Sequence, residues 1–236
     1  MERFFTKKIK REYTICLFLV IGFVVGALLY GWSYVCTACG FSQVCFAMVG
    51  AVIPVIITGG IHLEGFMDTA DALHSHEKKE KKLELLKDSR VGAFAVIAAI
   101  CFFLLYMAGL TLIWKENQLL LLGLGCIISR TLSGMSLVWF PVAKKEGILY
   151  SFASMAHKGT VRAVLVVLLA LEFAGAFIIH PLIGAVMALA AMWVWTYYYY
   201  MSKNQFGGIT GELAGFFICL CELSSVLVIG FLGRVM

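Results

Sequence analysis

The sequence predicts an all-α bundle of seven membrane-spanning helices, and three observations carry that expectation. Hydrophobic residues make up 61% of the 236 positions and charged residues 14%, more apolar surface than a water-soluble core of this length can hide. The apolar residues gather in runs long enough to cross a bilayer, at 13–35, 41–58, 93–114, 118–139, 161–179, 181–201 and 213–232. The basic residues segregate to one of the two sides that those crossings create.

Taken in order, residues 1–12 form a basic leader before the first run. That run exceeds the 7 to 15 apolar residues of a secretory signal and lacks a small-residue cleavage site, so it reads as a signal-anchor span. The second contains Pro54 and exits at Gly59-Gly60, where a kink is expected. Residues 115–117 and His180 mark tight hairpins, and 62–92, 140–160 and 202–212 are the longer polar connections. Tyr197 to Tyr200 suit an aromatic belt at the membrane interface.

With the N-terminus in the cytoplasm, 16 of the 19 basic residues lie inside, all three longer connections share that side, and the C-terminus lies outside. The eight cysteines fall mostly in apolar runs and predict no disulfide framework, and the Cys36/Cys39 pair lacks the further ligands of a zinc site. No basic, aromatic-interleaved pattern points to nucleic acid. The whole of 1–236 reads as a single integral membrane domain, with the lipid bilayer as its first partner and a homo-oligomer left open.

The segment 58–92, TGGIHLEGFMDTADALHSHEKKEKKLELLKDSRVG, concentrates charge between apolar spans. A helix over 62–74 puts Glu64, Asp68 and Asp71 at i, i+4 and i+7, within an arc of ~60°. Carboxylates ~5 Å apart repel by ~3 kcal/mol at an effective dielectric near 20, so such a face calls for protons, bases or a metal. Mg²⁺ suits it, because that ion combines one or two carboxylates with phosphate oxygens. A solvated acidic face is the plain alternative. Lys78, Lys79, Lys81 and Lys82 do not interleave with these acids, and Asp88 and Arg90 follow them.

Elsewhere, Arg130 lies within the fourth run, where it faces a polar cavity or an anion, or else snorkels to the headgroups. Gly207-Gly208-Ile209-Thr210-Gly211-Glu212 opens the last run, as either an anion-binding helix start or an ordinary turn. Glu222 and Glu172 are acids well inside spans, and His62 and His74 flank the acidic face as candidate bases.

GGIHLEGFMDTADAL followed by KDSRVGAFAV closely resembles the signature of the cobalamin synthase family, the adenosylcobinamide-GDP ribazoletransferases. FGGITGE with a later CELS resembles that family's C-terminal motif, and Ser129-Arg130, Pro141 and Gly147 fall where the family has an SR and a P-x-A-R-x-x-G-like segment. The resemblance spans essentially the whole chain.

It implies a Mg²⁺-dependent membrane enzyme that joins adenosylcobinamide-GDP to α-ribazole or its 5′-phosphate and releases GMP, in a cell inner membrane with the site on the cytoplasmic side. Glu64, Asp68, Asp71 and Asp88 become the expected metal ligands. Asp68, Asp71, Asp88, Arg90 and Arg130 become the expected catalytic residues. Gly59, Gly60, His62, Gly207, Gly208, Thr210, Glu212 and Glu222 are expected at the substrates.

The chain departs from the family in having Glu64 and Glu212 for Asp, Ala72 for Gly and Lys144 for Arg. The two glutamates keep the charge and lengthen its reach. A CDP-alcohol phosphotransferase is a second reading, but Asp68-Thr-Ala-Asp71 is followed by Ala-Leu-His rather than that family's Gly and closing Ala-Arg. A cation transporter coupled through Glu172 and Glu222 is a third, against which stands the concentration of acids at one surface.

Overall fold

The computed structural model describes residues 14–143 and 158–235. The basic leader, Lys144, Lys145 and Gly147 lie outside them. Among the described residues nine α-helices follow one another: α1 Thr14–Cys39, α2 Gln43–Ile57, α3 Ile61–His74, α4 Lys79–Leu85, α5 Ala93–Thr111, α6 Glu116–Trp139, α7 Lys158–Ile179, α8 Pro181–Met201 and α9 Gly211–Val235. Among the described residues there is no strand, only an isolated parallel bridge between Val142 and Ile209.

Six of the described helices are long and apolar enough to cross a membrane, and α2 with α3 makes a bent seventh candidate. This corrects the second expected span. Helix α2 has 15 residues, ~22 Å at 1.5 Å each, too short for a hydrocarbon core of ~30 Å. The chain turns by 93° before α3. Gly59 and Gly60 make that turn at φ +62° and +81°, a region where a side chain would be strained. The acidic helix is therefore the second half of a bent pair, a broken crossing or a re-entrant loop, rather than a connection after a complete span.

Helices α6 and α9 form the centre. Helix α6 packs on α1, α7, α8 and α9, while α9 packs on α3, α5, α6 and α8. The outer helices bury one face and show lipid-compatible residues on the other, among them Phe23, Leu104, Leu171, Ile178 and Trp193. Between apolar helices in lipid there is no hydrophobic drive to associate, so close backbone approach matters. Helix α1 meets α6 through Gly26 against Gly123, where a Cβ on Gly26 would lie 2.7 Å from the Gly123 Cα.

Contacts among the connections gather the polar segments at one end of the bundle. Lys82, buried in α4, donates to the Gln205 side chain at 2.8 Å. Gln205 belongs to a π-helical turn, Ser202–Phe206, that continues α8 where a loop was expected. Ile209 N–H donates to the Pro141 carbonyl at 2.8 Å, tying the start of α9 to the end of α6. The tyrosine run divides: Tyr197 and Tyr200 are exposed, whereas Tyr198 is buried and stacks on Phe217 at 5.0 Å.

A candidate active site between α3, α6 and α9

Helix α3 begins after Gly60, and the Glu64 N–H donates to the Gly60 carbonyl at 2.8 Å, which starts the turn carrying the first acid. Glu64 and Asp68, one turn apart, line a cavity of ≈ 600 Å³. Glu212 enters it from the first turn of α9, and Lys87, Asp88 and Ser89 enter from the segment after α4. Phe18 of α1, Ser133 and Leu137 of α6, and Ile218 of α9 complete its walls, with His62 at the start of α3.

Two glycines set its width. A Cβ on Gly65 would lie 2.5 Å from the Glu212 carbonyl oxygen, and one on Gly215 would lie 2.9 Å from that of His62. Backbone touches backbone there, so the α3 acids face Glu212 across a distance fixed by two missing side chains. Gly65→Ala is expected to push α3 off α9 at a cost of ~1–3 kcal/mol of overpacking. A thermal-unfolding comparison in detergent checks the destabilisation, and turnover should fall with it at least tenfold.

Asp71 lies on α3 as expected but points elsewhere. Its carboxylate accepts from the N–H groups of Gly92 (2.7 Å) and Ala95 (2.8 Å), capping the N-terminus of α5, and it does not line the cavity. Gly92 is required by this contact, since a Cβ there would lie 2.6 Å from both Asp71 oxygens.

Asp88 is gripped by Arg90. The guanidinium donates to it from Nη2 at 2.7 Å and from Nε at 3.0 Å, and the Arg90 backbone N–H adds a third bond at 3.0 Å. The side-chain bonds foremost, then the backbone one, hold the Asp88 pKa down at about 2, so this carboxylate stays ionised. Arg90 itself is 88% exposed and outside the cavity lining.

Arg130 is fully buried and paired with Glu222 of α9. Its Nη1 also donates to the Cys126 carbonyl and the Ser129 hydroxyl. The pair lines a second, smaller cavity of ≈ 20 Å³ with His62 and Tyr106, not the acidic one. His62 lines both. Glu172 is bonded by the Thr131 hydroxyl at 2.6 Å on the α7 side of α6, outside both cavities. His74 stacks on Phe94, with ring centroids 4.5 Å apart, at the far end of α3.

The glycine-rich loop uses its own backbone groups. Gly207 N–H donates to the Lys203 carbonyl, Gly208 N–H to that of Ser202, and the Thr210 hydroxyl accepts from Leu213 N–H. Gly59, Gly60, Gly207, Gly208 and Thr210 shape turns and caps and do not line the large cavity, whereas His62 and Glu212 do. Sequence reasoning used Lys87 only as a charge count and passed over Ser133. The i, i+4, i+7 spacing of Ser129, Ser133 and Ser136 is the signal that a polar stripe runs along α6.

Four carboxylates with a lysine give hard oxygen donors beside a place for phosphate. Among the described residues, no three acids, histidines or cysteines are close enough together to hold a metal ion by themselves. That donor set fits an ion such as Mg²⁺, which takes one or two carboxylates and completes its shell with water and substrate phosphate.

The family described as cobalamin-5-phosphate synthase matches residues 3–230. An adenosylcobinamide-GDP ribazoletransferase of Lachnoclostridium phytofermentans is 35% identical over 218 residues, covering 92% of this chain and 83% of the relative. One of the same name from Clostridium perfringens strain SM101 is 33% identical, covering 91% and 85%, and one from Roseiflexus is 30% identical, covering 90% and 76%. No solved structure matches. The match runs through both ends of the acidic cavity, from α3 to the first turn of α9, and the chain belongs to the cobalamin-5-phosphate synthase family.

Proposed function

We propose that this chain joins adenosylcobinamide-GDP to α-ribazole or its 5′-phosphate, releasing GMP, and that the reaction takes place in the acidic cavity. The observation that carries the proposal is the convergence of Glu64, Asp68, Asp88 and Glu212 with Lys87 on one cavity in a member of this family. The relatives' names supply the substrates.

In the proposed reaction a ribazole hydroxyl oxygen forms a bond to the cobinamide-side phosphorus. The phosphoanhydride P–O bond breaks, GMP departs with its electron pair, and the hydroxyl proton is released. Lys87 pairs with a phosphate oxygen of the diphosphate. Arg90 keeps Asp88 ionised and in position. One or two of Glu64, Asp68, Asp88 and Glu212 would hold Mg²⁺, with water and phosphate completing its shell, and its chemistry would be to neutralise diphosphate charge as the leaving group develops. Orientation of the two substrates supplies the rest.

The site is assigned to the cytoplasmic side of a cell inner membrane. The support is the bias of the basic residues toward the connections that gather beside the cavity. Counting α2 and α3 as one crossing gives seven, with the N-terminus inside and the C-terminus outside.

Purified protein in lipid vesicles with Mg²⁺, adenosylcobinamide-GDP and either ribazole form is expected to yield GMP and the cobalamin product in equal amounts by mass spectrometry. Excess EDTA should stop the reaction, and added Mg²⁺ should restore it. No GMP from folded protein with either ribazole form would overturn the proposal, and undiminished turnover in EDTA would remove the metal from it.

A further inference from the structure

The acidic cavity has two chemically different ends. Its rim carries Lys87, Asp88, Asp68 and Glu212. Ile218 lies six residues past Glu212 in α9, ~9 Å further along the helix axis. Gly215 sits against the His62 backbone, and the His62 ring lies 5.9 Å from that of Phe18, which brings Phe18 to the same inner level. Leu137, half-buried near the end of α6, walls the cavity at about the level of Glu212, because Pro141 past that end is bonded to Ile209 just before α9. The inner end is thus walled by Phe18 and Ile218, with His62 and Ser133 as its polar side chains, and Leu137 flanks the way in from the acids.

We infer that this inner end receives the flat, weakly polar heteroaromatic base of the attacking nucleoside, and that Phe18 at its wall and Leu137 beside its mouth set the size of base accepted. The inference rests on the function proposed above and adds to it which part of which substrate enters the chamber. Guanine carries a ring N–H, an amino group, a carbonyl and ring acceptors, and two polar side chains cannot pair them all. Each group left unpaired in a buried site carries a desolvation penalty. A benzimidazole-type base has one free ring nitrogen, which a single donor such as Ser133 satisfies.

Its apolar ring suits the side chains around it, and an aromatic neighbour such as Phe18 favours an offset or edge-to-face arrangement. A chamber of ≈ 600 Å³ is of the size that encloses one drug-sized ligand. A corrin with its amide arms would leave no room for a second substrate, so the macrocycle stays outside the rim and the diphosphate reaches in. Substrates then meet at the acids from opposite directions, as an in-line displacement requires.

The test uses full-length protein in lipid vesicles, comparing wild type with Leu137→Trp, Leu137→Ala and Phe18→Ala. Equilibrium dialysis measures binding of 5,6-dimethylbenzimidazole riboside and of GMP, and steady-state kinetics measures KM for each substrate. Leu137→Trp should weaken riboside binding at least tenfold and raise its KM equally, with KM for adenosylcobinamide-GDP and GMP affinity changed less than twofold. Leu137→Ala should admit a riboside with a larger, naphthimidazole base that wild type excludes, a gain that loss of folding cannot imitate.

Phe18→Ala should weaken the riboside about fivefold, in the range expected for losing one aromatic contact. Effects that fall instead on GMP or adenosylcobinamide-GDP, or equally on all ligands, would overturn the assignment. Riboside binding that follows position 137 in a protein releasing no GMP would uphold the base site and defeat the proposed reaction.

Discussion

Asp68→Asn is expected to lower GMP release by a factor of about 100 to 1,000, the scale of losing one preorganised electrostatic group at a reacting centre. Asp68 is half-buried on α3, one turn beyond Glu64, and faces the cavity that Glu212 enters from α9. The substitution keeps the side chain's size and removes its charge, so packing against α9 survives. Thermal unfolding and detergent-phase gel filtration should match wild type, while the Mg²⁺ concentration for half-maximal activity rises in any residual turnover. Near-normal GMP release would take Asp68 out of the reaction.

The second large effect concerns the Arg130–Glu222 pair. Both side chains are buried, at 1% and 5% exposure. Removing one partner strands the other's charge away from water, a loss of about 3–5 kcal/mol when a buried pair is broken. Arg130→Met and Glu222→Met should each destabilise the protein on that scale in denaturant titrations. The double substitution should recover most of the loss, because apolar residues of similar volume substitute well for a buried pair.

Turnover in the double variant then distinguishes two roles. Retained activity makes the pair a clasp between the two central helices, whereas a stable but inactive protein gives the guanidinium a part in the reaction. The pair lines the smaller cavity, outside the acidic one, so retained activity is the expected result.

These two residues also mark where reading the sequence succeeds and where it stops. Helix α3, its three acids and the bend at Gly59-Gly60 follow from local rules: helical spacing, a proline one turn before the exit, and a glycine pair able to adopt positive φ. Local rules also found the charge of Glu212. They do not reveal partners far along the chain. Arg130 looked like a phosphate clamp because an intramembrane arginine needs an anion, and the anion is Glu222 on another helix.

The glycine loop looked ready for a phosphate because its N–H groups could be free, yet those of Gly207 and Gly208 meet carbonyls of the preceding turn. Spacing grouped Asp71 with Glu64 and Asp68 within ~60°, and only the position of α5 decides which side of that arc its carboxylate serves.

The bond from Asp71 to the first turn of α5 has a further meaning as an angular stop. Successive residues on a helix are 100° apart, so anchoring position 71 sets the azimuth at which positions 64 and 68 leave the axis. The aim of Glu64 and Asp68 into the cavity is thereby delegated to a residue outside its lining, and through it to Gly92, whose missing Cβ gives that carboxylate room. A survey that scored variants by turnover alone would rank Gly92 among the catalytic groups, although its contribution is to keep a neighbouring helix from rolling.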